Sequence, residues 1–220
     1  MIRVVGVGDN TVDKYIHLGR MFPGGNAVNV AVLARRYGHY GAYLGWLADD
    51  VYGRLLLSAL AEEGIDTRRC RIVDGINAHC EVNLIENDRV FANGTHGVSA
   101  LLTLNDDDLH YISEHDLVHT SIYSHIEEDL PRLRSTGATI SFDFSQEWTE
   151  DYLRQQVPHV DFVALSYPNQ DTTSAEDLMR WISGLGPRLV LVTQGKAGAR
   201  VLIDGQIFET GIVETEVVDT

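Results

Sequence analysis

The sequence predicts an α/β domain in which helices cover both faces of a mostly parallel sheet, three layers in all, with a small β lid attached. Three observations carry that expectation. Short apolar runs alternate with segments of helical period along most of the chain. Glycines stand just past two of the helical segments, where a left-handed stop is needed. Two strand-like stretches, 12–18 and 78–92, interrupt the alternation and read as pieces of a smaller β unit inserted in the single domain 1–220.

Taken in order, residues 2–7 (IRVVGV) read as a buried strand. Residues 26–37 place Val28, Ala31, Val32 and Ala34 at helical spacing, with Gly38 as the stop. A strand is predicted over 42–47 (AYLGWL), and a helix over 51–63 closed by Gly64. Within 78–92 the apolar positions alternate about Asn87-Asp88, which predicts a hairpin. Acidic residues open a helix over 105–112, where they suit its dipole. Strands at 116–122, 138–143, 160–165 and 188–193 then alternate with helices near 126–135, 149–156 and 174–183. A hairpin over 198–209 through Asp204-Gly205 and one more strand over 213–218 follow.

A chain of 220 residues, 44% hydrophobic and 22% charged, has the composition of a globular domain and needs no disulfide or metal to stabilise its core. No apolar run approaches the length of a membrane span. Cys70 and Cys80 are too few for a disulfide framework and lack metal-ligand spacing, so a reduced cytoplasmic location is expected. Seventeen basic against 32 acidic residues give a net charge of −15, a field that repels nucleic acid and anionic lipid. Neither is expected as a partner. An anionic ligand would have to be held by local backbone amides, a few placed cations and Mg²⁺.

Gly24-Gly25-Asn26-Ala27-Val28-Asn29 is the sharpest local feature. Paired glycines before a helix let the backbone approach a ligand, and Asn26 and Asn29 would project amides suited to hydroxyl recognition. The competing reading is a plain turn with Asn26 as N-cap, and spacing alone does not separate the two. Asp9 and Asp13 flank the end of the first strand, where open sheets bind ligands. A turn or capping role competes there, more strongly for Asp9. His115 and His119 lie four apart on a strand, a spacing that does not converge two imidazoles on one ion. They read as structural, whereas His125, just past that strand, could meet a substrate. Asn105-Asp106-Asp107-Asp108 lacks the Gly and terminal Glu of a Ca²⁺ loop, and Trp46, Trp148 and Trp181 read as core or rim residues.

Gly8 with Asp13, Gly24-Gly25-Asn26 with Asn29, and VTQGKAG at 192–198, in that order, resemble the ribokinase-type (PfkB) carbohydrate kinases. The stretches GGNAVNVAV (24–32), ADDVYG (48–53), NDRVF (87–91), DLVH (116–119) and FDFS (142–145) narrow the resemblance to the branch that phosphorylates fructoselysine on its 6-hydroxyl. The resemblance runs over essentially all 220 residues.

That resemblance implies a ribokinase-like fold and ATP-dependent phosphorylation of a sugar or sugar-amine. It implies that Asp13, Gly25, Asn26 and Asn29 hold sugar hydroxyls, with Asp9 and His125 close by. The lid would cover the sugar and pair two subunits into a homodimer. Thr193, Gly195 and Gly198 match the loop under the nucleotide, Asn169 a position near the phosphates and Mg²⁺, and Asp219 a further ATP-binding position. Asp143, at a strand end on the same side, and Asp171 are candidates to hold Mg²⁺ through water. Two departures stand out. The family's Asn-x-x-Glu reads Asn169-Gln170-Asp171-Thr172, with Thr172 at the usual Glu position. Asp219-Thr220 begins the motif Asp-Thr-x-Gly-Ala-Gly-Asp, so the anion hole and the Asp general base are expected beyond Thr220 and this chain by itself is expected to lack the base. Two alternatives stay open: a fructokinase- or ribokinase-type kinase of a free sugar, and a non-catalytic sugar or nucleotide binder.

Overall fold

The computed structural model describes residues 1–85, 88–168 and 171–214. The first strand, β1 (Arg3–Val7), is buried over its last four residues, as a central parallel strand must be. It leads to a hairpin of β2 (Thr11–Tyr15) and β3 (Arg20–Gly24), joined by a 3₁₀ turn at Ile16–Leu18. There follow α1 (Asn26–Arg36), β4 (Tyr40–Leu44), β5 (Trp46–Ala48), α2 (Val51–Glu62), β6 (Arg71–Val73) and the hairpin of β7 (His79–Ile85) and β8 (Asp88–Thr95). The remaining elements are α3 (Asp106–Ser113), β9 (Leu117–Ser121), α4 (Leu130–Arg134), β10 (Thr139–Asp143), α5 (Glu150–Gln156), β11 (Phe162–Ser166), α6 (Thr172–Ser183), β12 (Leu189–Thr193), β13 (Ala199–Ile203) and β14 (Gln206–Thr210).

Eight strands form the main sheet in the order β14-β13-β12-β11-β10-β9-β1-β4. Pairing is parallel from β4 through β12 and antiparallel for β13 and β14. Strand alternation distributes the core to both faces. Ala42 and Leu44 of β4 pack in the cluster that takes in α3 to α6, while Tyr43 packs with α1 and α2. Layers of helix thus lie on each side of the sheet, as the alternating sequence pattern predicts.

The lid is a four-stranded sheet in the order β3-β2-β7-β8. Its buried apolar residues lie on both faces: Val12 packs with α1 and α2, while Tyr15 and Val82, paired across β2 and β7, share the opposite face. Of Val82, Leu84, Val90 and Phe91, whose alternation in the flap predicts an exposed apolar face, Val82 is fully buried and the side chains of the other three lie outside those described; among the described side chains of the lid, the exposed apolar ones are Ile16, Leu18, Met21 and Phe22.

Four boundaries differ from the expectation. The strand over 42–47 breaks at Gly45, whose carbonyl accepts the N–H of Arg71, so that β4 stays in the main sheet and β5 turns away to pair with β6. The stretch 12–18 stops being a strand at Tyr15, and β3 was not foreseen, because its Pro23 is tolerated only on an edge strand such as this one. The helix near 126–135 shrinks to α4 after a 3₁₀ turn. Residues 211–214 are irregular, and the rest of the strand expected over 213–218 lies outside the described residues. No helix among the described residues is long and apolar enough to cross a membrane.

Candidate active site

The segments that follow β1, β9 and β10, together with the first turn of α1, face the lid across a cavity of about 630 Å³. Open α/β sheets bind their ligands at this edge. Asp9, Asp13, Gly25, Asn26 and Asn29, all predicted from the sequence, line the cavity. His125 does not; it takes a left-handed φ of 54° and sets its ring edge-on to His96 on the wall, with the ring centres 5.2 Å apart.

Asp13 reaches the cavity because β2 is the strand shared by both halves of the lid, paired with Phe22 of β3 on one side and Cys80 of β7 on the other. Its Oδ1 accepts the Cys80 thiol at 3.1 Å.

Asp9 lines the same wall but faces inward. Its Oδ2 accepts the backbone N–H of Asn26, and its Oδ1 accepts from Ala27 N (3.3 Å), Ser121 Oγ (2.8 Å) and Ser124 Oγ (2.9 Å). Asp9 thus accepts from four donors, three of them on Oδ1. It caps α1 from a distance, and the N–H groups of Asn26 and Ala27 that open the helix are engaged by it. Gly25 makes this approach possible: at φ 109° any Cβ would sit 2.6 Å from Asn10 Cα. Asn26 is the first residue of the helix and not its cap. Its Nδ2 donates to Asp143 Oδ2, while its Oδ1 faces His119 Nε2.

Three functional features escaped the sequence reading. His119, passed over as structural, lies directly beneath Asn26. Asn10 and Asn77, both buried, join the lid to the sheet: Asn77 Nδ2 donates to Asn10 Oδ1 and Asn10 Nδ2 to Tyr43 Oη, each at 2.9 Å, and Tyr43 Oη donates to Gly8 O at 2.8 Å. Burial pushes the Tyr43 phenol well above its ordinary pKa, so it remains a donor. Glu147, on the loop after β10, adds an exposed carboxylate to the cavity wall. That loop is anchored by Ser145, whose N–H donates to Asp143 Oδ1 and whose hydroxyl meets Tyr123 Oη, both at 2.8 Å.

Further along the same sheet edge, Thr193 ends β12 beside Ser166, with their hydroxyls 3.2 Å apart. Gly195 opens a 3₁₀ turn, and Gly198, at φ 87°, passes so close to Thr210 that a Cβ would meet its carbonyl oxygen at 2.0 Å. Behind this turn the buried Arg200 donates to Gln194 Oε1, to Glu209 Oε1 (3.1 Å) and to Thr172 Oγ1 (3.2 Å). Thr172, at the position where Glu is usual, is thus a partner of Arg200. A rigid glycine turn at strand ends fits a nucleotide. The Mg²⁺ candidates fit less well: Asp143 is engaged by Asn26 and Ser145, and Asp171 caps α6 through Thr173 N, Ser174 N and Ser174 Oγ. No group of three His, Cys, Asp or Glu residues able to hold a metal ion occurs among the described residues. Asn169 and Asp219 lie outside them.

A sheet edge that carries a polar cavity under a β lid, with a glycine turn beside it, defines a ribokinase-like kinase fold. Residues 1–220 match the pfkB family of carbohydrate kinases, and the chain belongs to that family. It is 37% identical over 214 residues to a fructoselysine 6-kinase of Escherichia coli, covering 97% of this chain and 82% of that protein. It is 36% identical over 223 residues to a fructosamine kinase of Bacillus subtilis, covering 100% and 78%. The fold superposes on Arabidopsis thaliana ribokinase complexed with ribose and ATP with a TM-score of 0.80 at 17% identity, covering 96% of this chain and 78% of that one.

Proposed function

We propose that this chain carries the sugar pocket and the nucleotide floor of an ATP-dependent kinase of a sugar-amine conjugate, with the 6-hydroxyl of fructoselysine as phosphoryl acceptor. The observation that carries the reading is the cavity beneath the lid, which gathers Asp13, Asn26 and Asn29 at the carboxyl ends of the strands. A carboxylate accepts sugar hydroxyl protons, and each amide offers both a donor and an acceptor, a set suited to a polyol. Asp13 and Glu147 give the wall an excess of negative charge that favours the ammonium of a sugar-amine over an anionic sugar. The relatives named for fructoselysine and fructosamine support the same choice. ATP supplies the phosphoryl group. Thr193, Gly195 and Gly198 form the floor on which it rests, and Mg²⁺ comes with the phosphates and not from a carboxylate cage. Lid closure over the sugar excludes water and limits wasteful hydrolysis.

The lid also supports a homodimer. β3 is an edge strand, and it carries Met21 and Phe22 at 41% exposure beside Ile16 and Leu18. A second copy laid against this edge would cover all four.

Calorimetric titration with fructoselysine, fructose and ribose tests the substrate. Fructoselysine should bind at least about tenfold more tightly than either free sugar. Preference for fructose or ribose would support a free-sugar kinase, and failure of all three to bind would remove the kinase reading of the cavity.

A further inference from the structure

Beneath Asn26 a line of hydrogen bonds runs across three elements. Asp143 Oδ2 accepts from Asn26 Nδ2; Asn26 Oδ1 meets His119 Nε2; and His119 Nδ1 meets Ser141 Oγ at 3.0 Å. The parallel register of β9 and β10 sets His119 opposite Ser141, and the α1 face of the sheet brings both under the first turn of that helix. His119 is only 5% exposed.

We propose that His119 is a positioning residue for the sugar, locking the Asn26 carboxamide in the orientation that Asp143 sets. An ionised carboxylate can only accept, so Asn26 must turn its NH₂ toward it. The amide oxygen then faces His119, and because that oxygen can only accept, Nε2 must carry the proton. Nδ1 is left bare and accepts from the Ser141 hydroxyl. Burial pushes the imidazole below its ordinary pKa, against the pull of the Asp143 and Asp9 carboxylates, so one N–H is what it has to give. Each member has a single consistent role. The outcome is that Asn26 keeps one N–H and one lone pair, in a defined orientation, for a ligand in the cavity it lines. Without His119 the carboxamide is held by Asp143 alone and can swing about that single bond.

This inference rests on Asn26 being a sugar contact, and the experiment separates the two. Fructoselysine and ATP affinities and melting temperature would be measured for Asn26→Ala, His119→Leu, His119→Gln and the double variant Asn26→Ala/His119→Leu. His119→Leu should weaken sugar binding roughly three- to tenfold with ATP affinity unchanged. His119→Gln, which can return an N–H to the same oxygen, should recover most of the loss. The double variant should bind no more weakly than Asn26→Ala alone. In the unaltered chain, nitrogen NMR should show His119 as the Nε2-protonated tautomer at neutral pH, a readout that needs no variant. If Asn26→Ala leaves sugar affinity unchanged, the sugar reading of Asn26 fails and this inference with it. If Asn26→Ala weakens binding but His119→Leu lowers only the melting temperature, or if NMR shows Nδ1 protonated, the positioning role of His119 alone is overturned.

Discussion

The carboxylate of Asp9 caps a helix that begins seventeen residues later, accepting the backbone N–H of Asn26. The residue at the N-cap position, Gly25, has no side chain to do so. The chain thereby keeps a glycine where the backbone must pass close to Asn10 and recovers the lost cap from the preceding loop. Asp9 also receives the hydroxyls of Ser121 and Ser124, which ties the segments after β1 and β9 to the first turn of α1.

Asp9→Ala should therefore act on stability. It removes a cap and the carboxylate acceptor of the buried Ser121 hydroxyl, while Ser124 keeps Val7 O, for a loss of roughly 1–3 kcal/mol. Urea unfolding would measure it. A midpoint within experimental error of the unaltered chain would show that Asp9 does not hold the site together.

The two thiols should differ sharply. Burial pushes the Cys70 thiol up to about 12, whereas Cys80 lines the cavity beside Asp13. At pH 8 an alkylating reagent should modify Cys80 first, and bound sugar should slow it. Equal rates, or no protection by sugar, would contradict the cavity assignment. The raised pKa has a sign for stability as well. The folded state favours the protonated Cys70, so its contribution is complete below about pH 9 and is lost as pH rises toward 12.

For the lid, sedimentation at micromolar concentration should show a dimer, and Phe22→Lys should convert it to a monomer with a melting temperature that no longer depends on concentration. A monomeric unaltered chain would dispose of the lid interface.

How much of this was legible depended on how local each signal is. Asp13, Gly25, Asn26 and Asn29 belong to one strand–loop–helix passage, and the pattern of their neighbours places them at a strand's carboxyl end. A capping role for Asp9 was legible as the competing reading, but not which helix it caps or that it is buried, because its partners lie on α1 and after β9 and rules for helix caps look one residue back. His119 was weighed against His115, four residues away, as a metal pair; its actual partners come from β10 and α1 and meet it only through the sheet register. β3 was missed because an exposed edge strand need not alternate and can carry Pro23. The break at Gly45 depends on Arg71, far along the chain.

The most direct test is a calorimetric titration of fructoselysine into Asp13→Ala beside the unaltered chain, with melting temperatures recorded for both. Asp13 is a strand residue whose carboxylate meets only the Cys80 thiol among its observed side-chain partners, so its loss should cost the fold little. If the cavity under the lid holds the sugar, affinity should fall by about tenfold or more, the loss of a charged hydrogen-bond acceptor in a closed site, while melting stays near that of the unaltered chain. Unchanged sugar affinity together with a lower melting temperature would make Asp13 a structural residue and place the sugar elsewhere.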